Sequence, residues 1–129
     1  MNITRPFGVA SALLLSACAH TQGPINLSAE SRCPVSLTPG QSLSLSLASN
    51  PSTGFRWEIK EPAANTLRSL GPELYTPDSN DEVVGAGGTS VWRFVAQTPG
   101  QERLLLTYQQ PWDTQAAPAQ QFDCTIIVK

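Results

Sequence analysis

Strict alternation of apolar and polar side chains, interrupted at short intervals by proline and glycine, is the feature that most restricts how this chain can fold. In residues 42–47 every second residue is a leucine, and serines stand between them. In residues 55–60 aromatic and aliphatic residues alternate with charged ones. Because successive side chains of a β-strand point to opposite faces of its sheet, both segments predict strands with one buried and one solvated face.

The same alternation recurs along the chain and predicts seven strands. They are expected at residues 33–37, 41–47, 55–60, 67–75, 89–96, 102–109 and 121–128, the fourth being weaker and broken by Gly71-Pro72. The tetrapeptide Thr-Pro-Gly-Gln occurs at 38–41 and again at 98–101, and each copy predicts a turn before a leucine-bearing strand. No segment has a competing helical period. Short strands separated by such turns are typical of an all-β fold, an immunoglobulin-like antiparallel β-sandwich of about seven strands.

The chain has 129 residues, of which 40% are hydrophobic and 14% charged. This length and composition suit a single globular domain, which we place at residues 33–129.

The first residues have the pattern of an export signal and not of a domain. Arg5 precedes an apolar run at 7–15 that is too short to span a bilayer as a stable helix. The run ends in Leu15-Ser16-Ala17-Cys18, which resembles a bacterial lipobox. That resemblance implies a lipoprotein signal peptide at 1–17, a lipidated Cys18 and a tether at 18–32 in an exported lipoprotein. Ala19 in place of Asp after the cysteine favours, by the rule for such lipoproteins, anchoring in the outer membrane, facing the periplasm. The alternative is soluble export after ordinary cleavage nearby.

Charge and histidine content exclude several classes of function. Without residues 1–17 the chain has seven basic and ten acidic residues, a net charge of −3, so we expect no nucleic-acid partner. The one histidine, His20, lies in the predicted tether, which excludes Ser-His-Asp and Cys-His catalysis in the domain. Two distant cysteines cannot make a zinc site without other soft ligands. We therefore expect no enzymatic activity, no metal and no cofactor.

Two cysteines remain in the predicted domain, near its opposite ends. Cys33 is in phase with the apolar residues of the first predicted strand, and Cys124 with those of the last. Export would carry both into a compartment that permits disulfides. We predict a Cys33–Cys124 disulfide, with two buried free thiols as the alternative.

If consecutive strands are antiparallel, every second connection lies at the same end of the sandwich. Connections 48–54, 77–88 and 110–120 then share one end, and the two Thr-Pro-Gly turns share the other. Loops gathered at one end of a rigid scaffold commonly form binding surfaces.

The first of these connections is Asn50-Pro51-Ser52-Thr53-Gly54, followed by Phe55. Pro51 fixes its own φ and restricts Asn50, while Gly54 permits a positive φ, so the loop is predicted to be stiff. A stiff loop loses little entropy when it enters the groove of a partner. An ordinary turn is the alternative.

The other two connections have their own marks. Gly85-Ala86-Gly87-Gly88 allows close approach of another chain, or is simply a flexible turn. Gln110-Pro111-Trp112 places an aromatic ring beyond the end of a strand, where it either anchors an interface or caps the core.

Together with Trp92-Arg93-Phe94, these three motifs resemble, in order and spacing, the signature loops of the chagasin family of inhibitors of papain-like cysteine peptidases. The resemblance implies an immunoglobulin-like domain whose loops form a wedge across the active-site cleft, with Thr53 above the catalytic cysteine and the other two loops against the rims. Two positions depart from the family pattern. Ser52 stands where Thr is frequent, and Gln110 stands where Arg is common, so a rim cation is missing.

We therefore expect a reversible, tight-binding inhibitor that acts as a monomer on a papain-like cysteine peptidase. The predicted contact residues are Asn50, Pro51, Ser52, Thr53, Gly54, Phe55, Gly85, Ala86, Gly87, Gly88, Gln110, Pro111 and Trp112. The alternative is a non-inhibitory envelope lipoprotein that binds a glycan or another protein through the same loops, with Trp112 and Trp57 as platforms.

Overall fold

The computed structural model describes Gly8, residues 22–78 and residues 87–129. Apart from Gly8, the predicted signal peptide lies outside these residues, as does Cys18. The strands are β1 (Ile25–Leu27), β2 (Val35–Leu37), β3 (Ser42–Ser49), β4 (Arg56–Pro62), β5 (Leu67–Ser69), β6 (Leu74–Pro77), β7 (Gly88–Ala96), β8 (Gly100–Gln109) and β9 (Gln120–Val128). None of the described residues belongs to a helix with the length and apolar character needed to cross a membrane.

The strands form two sheets that enclose one core. One sheet has the order β1-β3-β7-β5, with β6 also paired to β7, and the other has the order β2-β9-β8-β4. The predicted all-β sandwich is confirmed. The sheets are mixed and not wholly antiparallel, because the edge strands β1 and β2 run parallel to β3 and β9.

The described residues form nine strands, where the sequence predicted seven. Strand β1 lies inside the segment predicted as a tether, where its Leu27 is only 1% exposed. Ile25–Leu27, within the segment 18–32 that was predicted as a tether, thus form an edge strand of the sandwich beside β3. Three residues are too few to show an alternating pattern, and this is why the sequence did not reveal the strand.

The predicted fourth strand is two strands, β5 and β6, separated at Gly71-Pro72. Both pair with β7 in antiparallel register, with Leu67 opposite Ala96 and Leu74 opposite Val91. They therefore run in the same direction, and the break does not reverse the chain. For this reason the predicted assignment of connections to the two ends of the sandwich is correct although the predicted number of strands is not.

The core forms where the two sheets face each other. The rings of Trp57 and Trp92 meet edge to face across it, with centroids 6.4 Å apart. The predicted inward residues of β8, Leu104, Leu106 and Tyr108, are all buried. Ile59 was predicted to face inward and is paired in register with the buried Leu106, yet it is 38% exposed, because β4 is an edge strand of its sheet.

The predicted disulfide is confirmed. Cys33 and Cys124 are bonded, with an Sγ–Sγ distance of 2.00 Å and Cα atoms 5.4 Å apart. Cys124 is buried in β9, whereas Cys33 is half-buried and precedes β2 instead of lying within it. The bond ties the start of β2 to the interior of the adjacent strand.

Candidate functional site

The connections after β3, β6 and β8 lie at the same end of the sandwich. Register places Ser49, the last residue of β3, opposite Gly88, the first of β7. In the other sheet Gln109, the last residue of β8, is opposite Arg56, the first of β4. The three connections form what we call the loop end: the first loop (50–55), the glycine loop (78–87) and the third loop (110–119).

The first loop is a short 3₁₀ turn at Pro51–Thr53 that is capped by the Asn50 side chain at its start and by Gly54 at its end. The Asn50 side chain accepts hydrogen bonds from the Ser52 N–H (3.2 Å) and hydroxyl (2.5 Å). Gly54 closes the turn in the left-handed region, with φ of 82°. This conformation strains any residue with a side chain, so the glycine is a conformational requirement.

Two aromatic residues fasten the first loop to the core. The Asn50 N–H donates to the Tyr108 hydroxyl at 2.9 Å, which joins the loop to the opposite sheet. Phe55 is half-buried, and its ring centroid lies 5.3 Å from that of Tyr108. Phe55, predicted as a contact residue, thus also serves to anchor the loop.

Thr53 lies at the exposed tip of the first loop. Its hydroxyl donates to the Asn50 carbonyl oxygen at 2.7 Å, and its own N–H donates to the same oxygen at 3.2 Å. These bonds hold the side chain against its own turn, so the tip presents a small and well-positioned surface. These hydrogen bonds give a specific physical reason for the predicted stiffness of the loop.

The third loop contacts the first. The Trp112 side chain is 70% exposed, yet its six-membered ring lies directly over Gly54. A Cβ atom at Gly54 would overlap Cη2 of the ring and lie 3.1 Å from Cζ3. The Gln110 amide Nε2 donates to the Thr53 carbonyl at 3.3 Å. Trp112 therefore neither caps the core nor stands alone, because it shields one side of the first loop.

Only part of the glycine loop falls within the described residues, and Gly85 and Ala86 lie outside them. Gly87 accepts a hydrogen bond from the Asp78 N–H at 3.1 Å. A Cβ atom at Gly88 would overlap the Thr76 carbonyl oxygen and lie 2.6 Å from the Tyr75 hydroxyl. Gly88 is thus required by the packing of β7 against β6, which is a structural role that the sequence alone did not separate from binding.

An open cavity of about 400 Å³ lies between the loops. Its lining residues are Ala48, Ser49, Asn50, Thr53, Phe55, Asp78, Gly87, Gly88, Tyr108, Ala119 and Gln120. The cavity makes the loop end a contoured surface with a hollow beside the projecting tip of the first loop.

Charge near the first loop comes from a residue that the sequence reasoning missed. The Arg56 guanidinium Nη1 donates to the carbonyl oxygens of Pro51 (2.9 Å) and Phe55 (3.0 Å). The sequence could have indicated this role, because Arg56 comes immediately after the loop motif and lies on the polar face of a predicted strand.

Clear pKa shifts occur at two residues on the strands of the second sheet, away from the loop end. The hydrogen bond from Arg103 lowers the pKa of Asp123 below its usual range, and the same bond raises the pKa of Arg103. Arg103 also contacts Glu61 at 3.0 Å. These exposed residues join β4, β8 and β9, and we assign them to the sheet surface.

Across residues 22–78 and 87–129, no cluster of three or more acidic, cysteine or histidine side chains could hold a metal ion.

Trp57 does not form the exposed platform that the envelope-binding alternative requires. It is only 7% exposed, and its indole N–H donates to the Ala48 carbonyl at 3.0 Å. Its ring also lies against Tyr108, with centroids 4.9 Å apart. Trp57 is a core residue beneath the loop end, so that alternative loses one of its two platforms.

Comparison with known sequences relates the chain to a family of inhibitors. Residues 36–126 match the family model described as Chagasin family peptidase inhibitor I42. Chagasin of Trypanosoma cruzi is 30% identical over 94 residues, which are 70% of this chain and 82% of chagasin.

Solved structures share the fold. The cysteine protease inhibitor EhICP2 of Entamoeba histolytica superposes with a TM-score of 0.71 at 18% identity, covering 83% of this chain and 96% of that one. Amebosin gives a TM-score of 0.61 at 22% identity, with coverages of 81% and 97%. PbICP-C, solved in complex with falcipain-2, gives 0.53 at 17% identity, with coverages of 83% and 90%.

Proposed function

Because this chain belongs to the chagasin family of peptidase inhibitors, we propose that it reversibly inhibits papain-like cysteine peptidases by inserting its loop end into their active-site cleft. The observation that carries the proposal is the joining of Asn50, Thr53 and Gly54 to Tyr108, Gln110 and Trp112 into one rigid projection. A projection that is ordered before binding loses little conformational entropy in the complex.

Each part of the loop end has a role in this proposal. Thr53, at the tip, enters the narrowest part of the cleft above the catalytic cysteine. Trp112 lies against one rim and the glycine loop against the other, and the complex contains one inhibitor monomer and one peptidase. This mode of action is binding and not catalysis, so the chain itself is no enzyme.

Titration of a papain-like peptidase with the purified protein tests the proposal. We expect a one-to-one endpoint, recovery of peptidase activity on dilution, and an inhibitor that stays intact in mass spectra. If the folded protein at micromolar concentration leaves several papain-like peptidases fully active, the proposal is wrong. Binding to an envelope glycan or protein without inhibition would then favour the alternative function.

Trp112→Ala is expected to weaken inhibition by about 2 kcal/mol or more, because a large exposed aromatic ring at an interface is the usual type of hot spot. The free energy of unfolding should change by less than about 1 kcal/mol, since the ring is 70% exposed. Inhibition constants and urea titrations measure the two effects. Ile59→Ala, in the edge strand β4 and 38% exposed, is the control and should leave inhibition unchanged. An unchanged inhibition constant for Trp112→Ala would contradict the rim contact.

We also propose that the protein is an outer-membrane lipoprotein anchored through Cys18. Support comes from Leu15-Ser16-Ala17-Cys18 at the end of an apolar run. Intact mass of membrane-extracted protein should show an acylated amino-terminal cysteine. Cys18→Ala should remove the acyl mass and release the protein or leave it as an uncleaved precursor. A soluble, unmodified mature chain from the unaltered gene would contradict this prediction.

A further inference from the structure

Three backbone carbonyl groups of the first loop, those of Asn50, Pro51 and Thr53, accept hydrogen bonds within the inhibitor. The Asn50 oxygen accepts from the N–H and hydroxyl of Thr53. The Pro51 oxygen accepts from the Gly54 N–H at 3.0 Å and from Arg56 Nη1 at 2.9 Å. The Thr53 oxygen accepts from Gln110 Nε2 at 3.3 Å. The turn itself supplies the bonds within residues 50–54, whereas Arg56 and Gln110 reach in from outside that turn.

Occupied carbonyl groups bear directly on whether a cysteine peptidase can cut the loop. Cleavage requires the scissile carbonyl oxygen to take hydrogen bonds from the oxyanion hole while the thiolate approaches its carbon in line. A carbonyl already held by the inhibitor must first give up that bond and change its orientation. Here the bond after Thr53 also leads into Gly54, whose φ of 82° departs from extended geometry. Both features oppose cleavage at the tip of the loop.

Arg56 and Gln110 each donate a hydrogen bond to a carbonyl oxygen of this turn. Arg56 opens β4, and its cross-strand neighbour in β8 is Gln109, the residue before Gln110. The two side chains therefore extend from adjacent strands toward the same turn. Gln110, which departs from the arginine common at this position in the family, donates its amide N–H to the first loop.

We propose that Arg56 and Gln110 are positioning residues that keep the first loop from being cleaved, so that the protein remains an inhibitor and does not become a substrate. This inference rests on the proposed function. Without both side chains, the peptidase thiolate adds to the Thr53 carbonyl carbon, and the C–N bond to Gly54 breaks. The Gly54 amine takes a proton from the catalytic histidine as it leaves. Water then hydrolyses the thioester and releases a carboxylate at Thr53.

Hydrogen exchange of the free protein tests the first part of the inference without any peptidase. In Arg56→Ala/Gln110→Ala, the amide hydrogens of Thr53 and Gly54 should exchange about fivefold faster or more, as expected when a local structure loses one or two net hydrogen bonds. Arg68→Ala/Gln109→Ala is the matched control. It removes the same two residue types from the two sheets, and Gln109 bonds Glu58 instead of the loop. Equal exchange in the two variants would overturn the proposal.

Prolonged incubation with an active papain-like peptidase tests the second part. The unaltered protein and the control variant should inhibit and stay intact. Arg56→Ala/Gln110→Ala should inhibit at first, after which activity should return as mass spectra show cleavage between Thr53 and Gly54. A double variant that stays intact for the same time overturns the proposal, whether its inhibition is strong or weak. If the unaltered protein never inhibits, the proposed function fails, and the exchange experiment still decides whether these side chains hold the loop.

Discussion

Thr53→Trp is expected to abolish measurable inhibition at concentrations where the unaltered protein saturates the peptidase. In the free protein Thr53 is exposed at the tip of the first loop, with its hydroxyl bonded to the Asn50 carbonyl at 2.7 Å. The proposed binding mode places this residue at the narrowest part of the cleft, where an indole has no room. We expect a loss of about 3 kcal/mol or more, roughly 150-fold in the inhibition constant, which is in the range of strong interface hot spots.

The control for this variant uses the same substitution at the opposite end of the sandwich. Thr98 is exposed in the turn between β7 and β8, so Thr98→Trp should leave the inhibition constant unchanged. Both variants should unfold in urea within about 1 kcal/mol of the unaltered protein, because neither residue is in the core. Full inhibition by Thr53→Trp would mean that the first loop does not enter the cleft. Thr53→Ser, which keeps the hydroxyl, should inhibit with little loss.

The sequence predicted the loop end well because that prediction depended only on strand direction. Period-2 patterns locate long strands such as β3, β7, β8 and β9, and antiparallel succession then assigns each connection to an end. The break at Gly71-Pro72 added a strand but left the direction unchanged, as both pieces pair with β7. The gathering of the three loops could therefore be predicted from alternation together with antiparallel succession of the strands.

Features that arise from contacts between distant residues could not be predicted in this way. The 38% exposure of Ile59 follows from the place of β4 at the edge of its sheet, and nothing in its own segment indicates it. The packing of Trp112 on Gly54 joins two loops that are far apart in the chain. The role of Gln110 is a similar case. From the sequence it was only a glutamine in place of the common arginine, whereas in the structure its amide donates to the neighbouring loop.

These contacts change the physical account of loop stiffness. Pro51 and Gly54 restrict the backbone locally, as the sequence predicted, but the orientation of the turn is set by Tyr108, Gln110 and Trp112. A turn that is restricted only locally could still pivot about its two ends. The three contacts from the second sheet and the third loop oppose this motion and so provide the preorganisation that tight binding requires.

Reducing the Cys33–Cys124 disulfide is expected to lower the free energy of unfolding by about 4 to 5 kcal/mol. The bonded residues are 91 positions apart, so the crosslink restricts most of the unfolded domain, and the chain-entropy model assigns this amount to a loop of that size. Such a loss is a large fraction of the stability of a typical domain, about 5–15 kcal/mol. The urea midpoint of the oxidised protein should therefore fall by about 2–4 M when a reductant is present.

Matched variants separate loss of the bond from other effects of the reductant. Cys33→Ala/Cys124→Val removes both thiols while keeping an apolar side chain of similar size at the buried position in β9, where Cys124 is only 1% exposed. This double variant should unfold near the midpoint of the reduced protein, and reductant should not move its transition. Thiol titration of the unfolded, unreduced protein should find Cys33 and Cys124 unreactive. A urea midpoint that is the same with and without reductant would show that the crosslink contributes little, and the stability would then have to come from burial between the two sheets.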